Sequence, residues 1–109
     1  MKIIVKHMNR NEITGDVEGF TPVAEVLAEG FDKVTDALEY AYRWTNNVMG
    51  SWSRTDIEDN GDYNPNVTRL APLHEGGYGL RSTSMFDIME VDGVEYEVLG
   101  FGFCEKEAV

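Results

Sequence analysis

Two alternating segments joined by a two-residue turn constrain this chain most strongly. Residues 86–91 and 94–99 alternate between apolar and polar side chains, and Asp92-Gly93 lies between them. The Asp-Gly pair suits the left-handed backbone of a tight hairpin turn, so the C-terminal part is predicted to be an antiparallel β-hairpin. Phe86 and Ile88 are predicted to share one face of the first strand, and Val94, Tyr96 and Val98 one face of the second. Phe101 and Phe103, between glycines, continue toward the terminus.

The first half of the chain predicts one strand and two helices. Residues 3–8 are short and β-branched, which favours a strand. Thr21-Pro22 places proline at a first helical position, so a helix is predicted over residues 22–29. Asp32 is expected to cap a second helix that runs to about residue 47, because apolar residues recur there at spacings of three and four. These residues are Val34, Ala37, Leu38, Ala41, Trp44, Thr45 and Val48.

A long polar segment separates the second helix from the hairpin. Residues 49–79 show no sustained period and are rich in Asp, Asn and Gly, which is typical of turns, with one short strand predicted over residues 67–70. A chain of 109 residues accommodates one hydrophobic core. We therefore predict a single α+β domain, residues 1–109, with an N-terminal strand, two helices, a long acidic loop and a C-terminal antiparallel hairpin.

The charge balance is strongly acidic. Nine Lys and Arg residues stand against 20 Asp and Glu residues, for a formal net charge of −11, which disfavours direct binding to nucleic acid or to an anionic membrane. Cys104 is the only cysteine, as expected in a reducing compartment. No apolar run reaches the roughly 7–15 residues of a secretory signal or the roughly 20 of a membrane span. A cytoplasmic protein is predicted.

Two further patterns resemble a small protein type that is common on phages and plasmids. The first is Asp36-x-Leu38-x-x-x-Tyr42-x-x-Thr45-Asn46, followed by Trp52. The second is Arg81-Ser82-Thr83-Ser84 with Asp87, followed by Val91-Asp92-Gly93-Val94-x-Tyr96-x-Val98. Phe86 stands where that type has glycine, so the local turn is expected to differ. The resemblance covers roughly residues 32–103 and implies an origin on a mobile element, without implying catalytic residues.

Groups that could carry catalysis or hold a metal are few. His7 and His74 are the only histidines, and together with Cys104 they fall short of the four ligands typical of structural zinc. Cys104 follows an apolar strand end, where buried, unreactive cysteines are common. No pattern selects two carboxylates for acid–base chemistry. We therefore expect a non-enzymatic protein without a cofactor or bound metal.

Two loops leave other functions open. The segment from Asp56 to Asp62 resembles the start of an EF-hand loop with Gly61 at position six, but Val67 occupies position twelve, where calcium binding requires glutamate. Gly76-Gly77-Tyr78-Gly79 would let backbone N–H groups converge on a phosphate. The alternative functions are therefore a module that captures a nucleotide or a metal ion, and an accessory protein that forms a homodimer through the hairpin edge.

Carboxylates concentrate in two stretches. Eight lie between residues 11 and 42, against one lysine, and four lie at residues 56–62 of the long loop. With a rise of about 1.5 Å per residue, Asp32, Asp36 and Glu39 would follow one helix face at intervals of about 4.5–6 Å, comparable to the spacing of charges along a nucleic-acid strand. The predicted partner-binding residues are Glu25, Glu29, Asp32, Asp36, Glu39, Asp56, Glu58, Asp59 and Asp62.

This distribution predicts an inhibitor that imitates DNA. Its acidic surface would occupy the basic groove of a host defence protein or of a nucleic-acid-processing protein, as anti-CRISPR and anti-restriction proteins do. The other interpretation of the same charges is a solvated face that keeps the protein soluble.

Overall fold

The computed structural model describes residues 1–106 and contains one antiparallel sheet with one α-helix packed on it. A single 3-10 turn, Glu75–Gly77, lies in the long connection after the third strand. The elements in chain order are β1 (Lys2–Arg10), β2 (Val17–Leu27), α1 (Val34–Trp44), β3 (Val67–Arg69), β4 (Ile88–Val91), β5 (Val94–Leu99) and β6 (Gly102–Glu105).

The sheet is built around its first strand. Its spatial order is β3-β2-β1-β4-β5-β6, and every neighbouring pair is antiparallel. Ile3 lies opposite Val26 of β2 on one side and Val91 of β4 on the other. The hairpin prediction is confirmed, because β4 and β5 pair across Asp92-Gly93. The N-terminal strand and the short strand β3 are confirmed as well.

The first predicted helix is wrong, and with it the predicted fold class. Residues 22–27 belong to β2, so the chain folds as a mainly β protein with one α-helix and six strands among the described residues. Ala24, Val26 and Ala28 are buried while Leu27 between them is exposed, which is the two-residue period of a strand. Pro22 fits because it lies at a register shift between β1 and β2, and bulges tolerate a residue without an N–H.

The second predicted helix is present but shorter than expected. α1 ends at Trp44, and Lys33 rather than Asp32 occupies its N-cap without a side-chain hydrogen bond. Ala37, Leu38 and Ala41 are buried in one apolar cluster with Ile3 and Val5 of β1. The helix therefore covers one face of the sheet, and its i, i+3 and i+4 spacing supplies the apolar stripe that faces the core.

The opposite face of the sheet is more polar. The register places Ile4, Glu25 and Glu90 side by side on this face. Lys6 pairs there with Glu90 and Glu95, with Nζ–Oε distances of 3.0 and 3.2 Å, and these hydrogen bonds raise the pKa of Lys6. Within residues 1–106, no helix is long and apolar enough to cross a bilayer.

Candidate partner-binding surface

The structure distributes the nine predicted partner-binding carboxylates over three environments. Glu25 is half-buried on the sheet face that points away from α1, and Asp62 is buried. The seven exposed carboxylates are Glu29, Asp32, Asp36, Glu39, Asp56, Glu58 and Asp59. Glu25 and Asp62 therefore cannot act together with the other seven on one surface.

Asp62 is an internal anchor and not a surface charge. Its carboxylate accepts the backbone N–H groups of Val48, Met49 and Gly50 at 2.8, 3.0 and 2.7 Å. Arg43 donates a further hydrogen bond to it at 3.2 Å. Burial alone would raise the pKa of Asp62, but these four donors outweigh it and hold the pKa below its ordinary value. Asp62 fixes the turn after α1, and because it is buried it is not accessible to a partner.

The segment that resembles a calcium loop is closed by its own hydrogen bonds. Asn60 donates to the carbonyl oxygens of Ser51 and Arg54 at 2.6 and 2.7 Å and accepts the N–H of Ser51 at 3.0 Å. Asp56 forms an ion pair with Arg54 at 2.9 Å, whose hydrogen bond lowers the pKa of Asp56. Among the described residues, no group of three or more His, Cys, Asp or Glu side chains could hold a metal ion.

Two predicted carboxylates remain together on the solvent side of α1. Asp36 and Glu39 are exposed, and their three-residue separation makes them neighbours with a rise of about 4.5 Å. Arg43, four residues after Glu39, is committed to Asp62 and lies 4.2 Å over the ring of Trp44. Within residues 1–106 Glu39 has no ion pair, so its charge is available to a partner.

An apolar patch that sequence reasoning missed borders these carboxylates. Phe101 is completely exposed at the turn between β5 and β6, and Leu99 and Tyr42 are 38% and 39% exposed. Tyr42 meets Phe103 edge-on, with ring centroids 6.4 Å apart. A groove of about 190 Å³ runs between α1 and this turn, and Glu39 forms part of its wall. The signal in the sequence was the position of Phe101 between two glycines, which favours a turn over a buried strand.

We call this combined area the α1–β6 surface. It consists of Asp36, Glu39, Tyr42, Leu99, Phe101 and Phe103. Asp36, Glu39 and Tyr42 follow one another at i, i+3 intervals and so form one ridge of the helix. The surface thus presents negative charge along one edge of an aromatic groove.

The turn before β4 keeps a glycine-like conformation although it holds phenylalanine. Phe86 has a φ of 76°, a left-handed conformation that is uncommon for bulky residues. Its N–H donates to the carbonyl of Val98 at 2.7 Å, which ties the turn to β5.

Comparison of the chain with protein-family models, curated proteins and solved structures finds no match. The resemblance to phage and plasmid proteins therefore stays a prediction.

Proposed function

We propose that this protein is a small, non-enzymatic inhibitor encoded by a phage or plasmid. It binds the basic nucleic-acid groove of a host defence protein or of a nucleic-acid-processing protein through the α1–β6 surface. The observation that carries the proposal is Phe101, which is completely exposed beside a groove that Glu39 and Tyr42 help to form.

The aromatic residues supply the anchor of the proposed interface. A fully exposed Phe at the tip of a turn adds nothing to the core, and aromatic side chains seated in partner pockets account for much of the binding energy at protein interfaces. Burying Phe101 in a partner would remove its entire side chain from water, which stabilises a complex by roughly 1.5–3 kcal/mol.

The carboxylates supply direction and selectivity. Exposed charges along α1 contribute little individually, but they accelerate the approach of an oppositely charged groove and disfavour acidic partners. Asp36 and Glu39 lie on the same ridge of α1 as Tyr42, and Asp32 and Glu29 precede them in the chain. A positively charged groove flanked by an apolar pocket complements this arrangement.

The test compares two sets of charge reversals that change the net charge equally. The first set is Asp32→Lys, Asp36→Lys and Glu39→Lys. The matched control set is Glu12→Lys, Asp16→Lys and Glu18→Lys, which alters exposed carboxylates in the turn and strand at the other end of the β1–β2 pair. Partners are captured from the host cell at low and moderate salt and identified by mass, and the purified partner is then challenged with DNA.

One captured partner should bind DNA, and it should release this protein when DNA is added. The first reversal set and Phe101→Ser should each weaken capture at least tenfold, while the control set should retain it. Equal capture by both reversal sets would contradict the role of α1. Light scattering supplies a further check, because a stable homodimer that buries Phe101 would assign the patch to self-association instead.

A further inference from the structure

A second pocket lies on the helix side of the sheet, away from the α1–β6 surface. It has a volume of about 280 Å³ and opens between β1, β2 and the segment that follows β3. Val23, Ala71 and Leu80 give it apolar walls, and His7 of β1 forms part of its lining. The side chain of His7 is only 7% exposed. For scale, a buried cavity of about 150 Å³ is large enough to take up benzene.

A chain of hydrogen bonds fixes where the proton of His7 lies. Thr45 donates its hydroxyl proton to the carbonyl oxygen of Ala41 at 2.8 Å, and Thr83 donates its own to the hydroxyl oxygen of Thr45 at 2.8 Å. Because a carbonyl only accepts, both hydroxyl protons are committed in one direction. Thr83 can then only accept from Nε2 of His7, which lies 2.9 Å away. Nε2 therefore carries the ring proton.

The other ring nitrogen is left as an acceptor. Burial, together with the charge of Arg81, outweighs Asp87 and lowers the pKa of His7 to about 4, so the ring is neutral near pH 7. A neutral ring protonated on Nε2 has a lone pair on Nδ1, and within residues 1–106 no group bonds to that atom. Every fully buried side-chain nitrogen and oxygen of these residues has a partner. Nδ1 is therefore not fully enclosed by protein atoms, and His7 is one of the residues that line the pocket.

The neighbouring charges do not select an anion. Arg81 also lines the pocket, but it is held by Asp87 through two hydrogen bonds of 2.7 and 2.8 Å. The carboxylate of Asp87 compensates the guanidinium charge, and a bare lone pair on Nδ1 repels phosphate or carboxylate oxygens. Asn9, Thr21 and His74 add further polar groups to the lining. The pocket thus combines a largely apolar wall with Nδ1 of His7, a buried acceptor that lacks a donor among residues 1–106.

We infer that this pocket binds a small, mainly apolar molecule whose hydroxyl or N–H group donates a hydrogen bond to Nδ1 of His7. The inference is independent of the proposed inhibitor function, since the pocket shares no residue with the α1–β6 surface. Such a ligand fills the apolar volume and donates to Nδ1 of His7, and a mainly apolar lining with a few polar groups is the usual composition of a small-molecule site.

Indole and benzofuran provide a matched pair of probes, because they have nearly the same shape and only indole has an N–H donor. Both are titrated into ¹⁵N-labelled protein, and long-range ¹H–¹⁵N spectra follow the two ring nitrogens of His7 directly. In the free protein the proton should be on Nε2. Indole should shift the Nδ1 signal and bind about tenfold more tightly than benzofuran, as expected for one added hydrogen bond.

His7→Phe keeps a ring in the wall and removes the acceptor, so this variant should bind the two probes equally. The spectra of the unaltered protein test the inference even where the variant fails to fold. A proton found on Nδ1, equal affinity of the unaltered protein for both probes, or no binding of either probe at millimolar concentration would each overturn it.

Discussion

At the scale of single residues, this protein shows how little a charged side chain reveals about its place in the fold. Asp59 and Asp62 lie in the same polar run of the sequence, yet Asp59 is exposed and Asp62 is buried. What separates them is a set of partners that come from the end of α1 and the turn after it. Because these partners are distant in sequence, the residues around Asp59 and Asp62 do not indicate them. The sequence therefore could not distinguish the buried carboxylate from the exposed one.

Replacing Asp62 with asparagine should destabilise the protein by roughly 2–3 kcal/mol, because the amide has one acceptor oxygen and turns N–H donors toward Arg43. Chemical denaturation measures this loss. Asp59→Asn is the matched control, and it should change the stability by less than about 0.5 kcal/mol since Asp59 is exposed. Equal effects of the two substitutions would contradict the anchoring role of Asp62.

His7 should make the protein less stable in mild acid. Its pKa is about 4 in the folded state and about 6.5 when unfolded, so the unfolded chain binds the proton more strongly. The stabilisation is complete above pH 6.5 and is lost as the pH falls toward 4, by about 3 kcal/mol in total. Unfolding measured across this range checks it. In His7→Phe the free energy of unfolding should change much less between pH 6.5 and 4. An unchanged dependence on pH would show that other groups cause it.

At the scale of elements, the sequence predicted those whose signals are local. The Asp92-Gly93 turn and the apolar stripe of α1 both specify their structure within a few residues, and both are present. β2 was missed because Thr21-Pro22 imitates a helix start and the following run contains Val, Ala and Leu. Its strand conformation depends on pairing with β1 and β3 on either side, which a reading of the segment alone does not capture. The exposed position of Phe101 was missed for a different reason, because the strand was extended through the flanking glycines, where the chain in fact turns.

A pair of alanine substitutions distinguishes a strand from a helix at this segment. On a helix Val23, Val26 and Leu27 would share one face, whereas in β2 Val26 is buried and Leu27 is 40% exposed. Val26→Ala should therefore cost about 2 kcal/mol and Leu27→Ala less than about 1 kcal/mol. Thermal denaturation of both variants provides the measurement. A larger loss for Leu27 would favour the helical interpretation.

At the scale of the whole molecule, the net charge of −11 acts on stability as well as on binding. Like charges repel within the compact state, and added salt screens this repulsion. The negative charge is concentrated, since four exposed carboxylates lie at residues 29–39. The buried core is apolar apart from a few hydrogen-bonded groups such as Asp87 and Thr45.

Raising the salt concentration from about 20 mM to about 300 mM should therefore raise the Tm of the protein. Either triple lysine variant reduces the formal net charge from −11 to −5, since each reversal changes it by two units, and should show a smaller increase. If one variant shows the full increase and the other shows none, local pairing rather than overall repulsion controls the effect.

The central position of β1 has a consequence for the order of folding. β1 precedes the other five strands in the order of the described elements and pairs with β2 after a short turn, but its other neighbour, β4, follows more than 75 residues later. Closing so long a loop carries an entropic cost before any contact forms, and such non-local pairing slows folding. Until residues 88–91 arrive, one side of β1 has unpaired backbone groups. The nascent chain is therefore most vulnerable to aggregation during the interval in which α1 and the acidic loop are being synthesised.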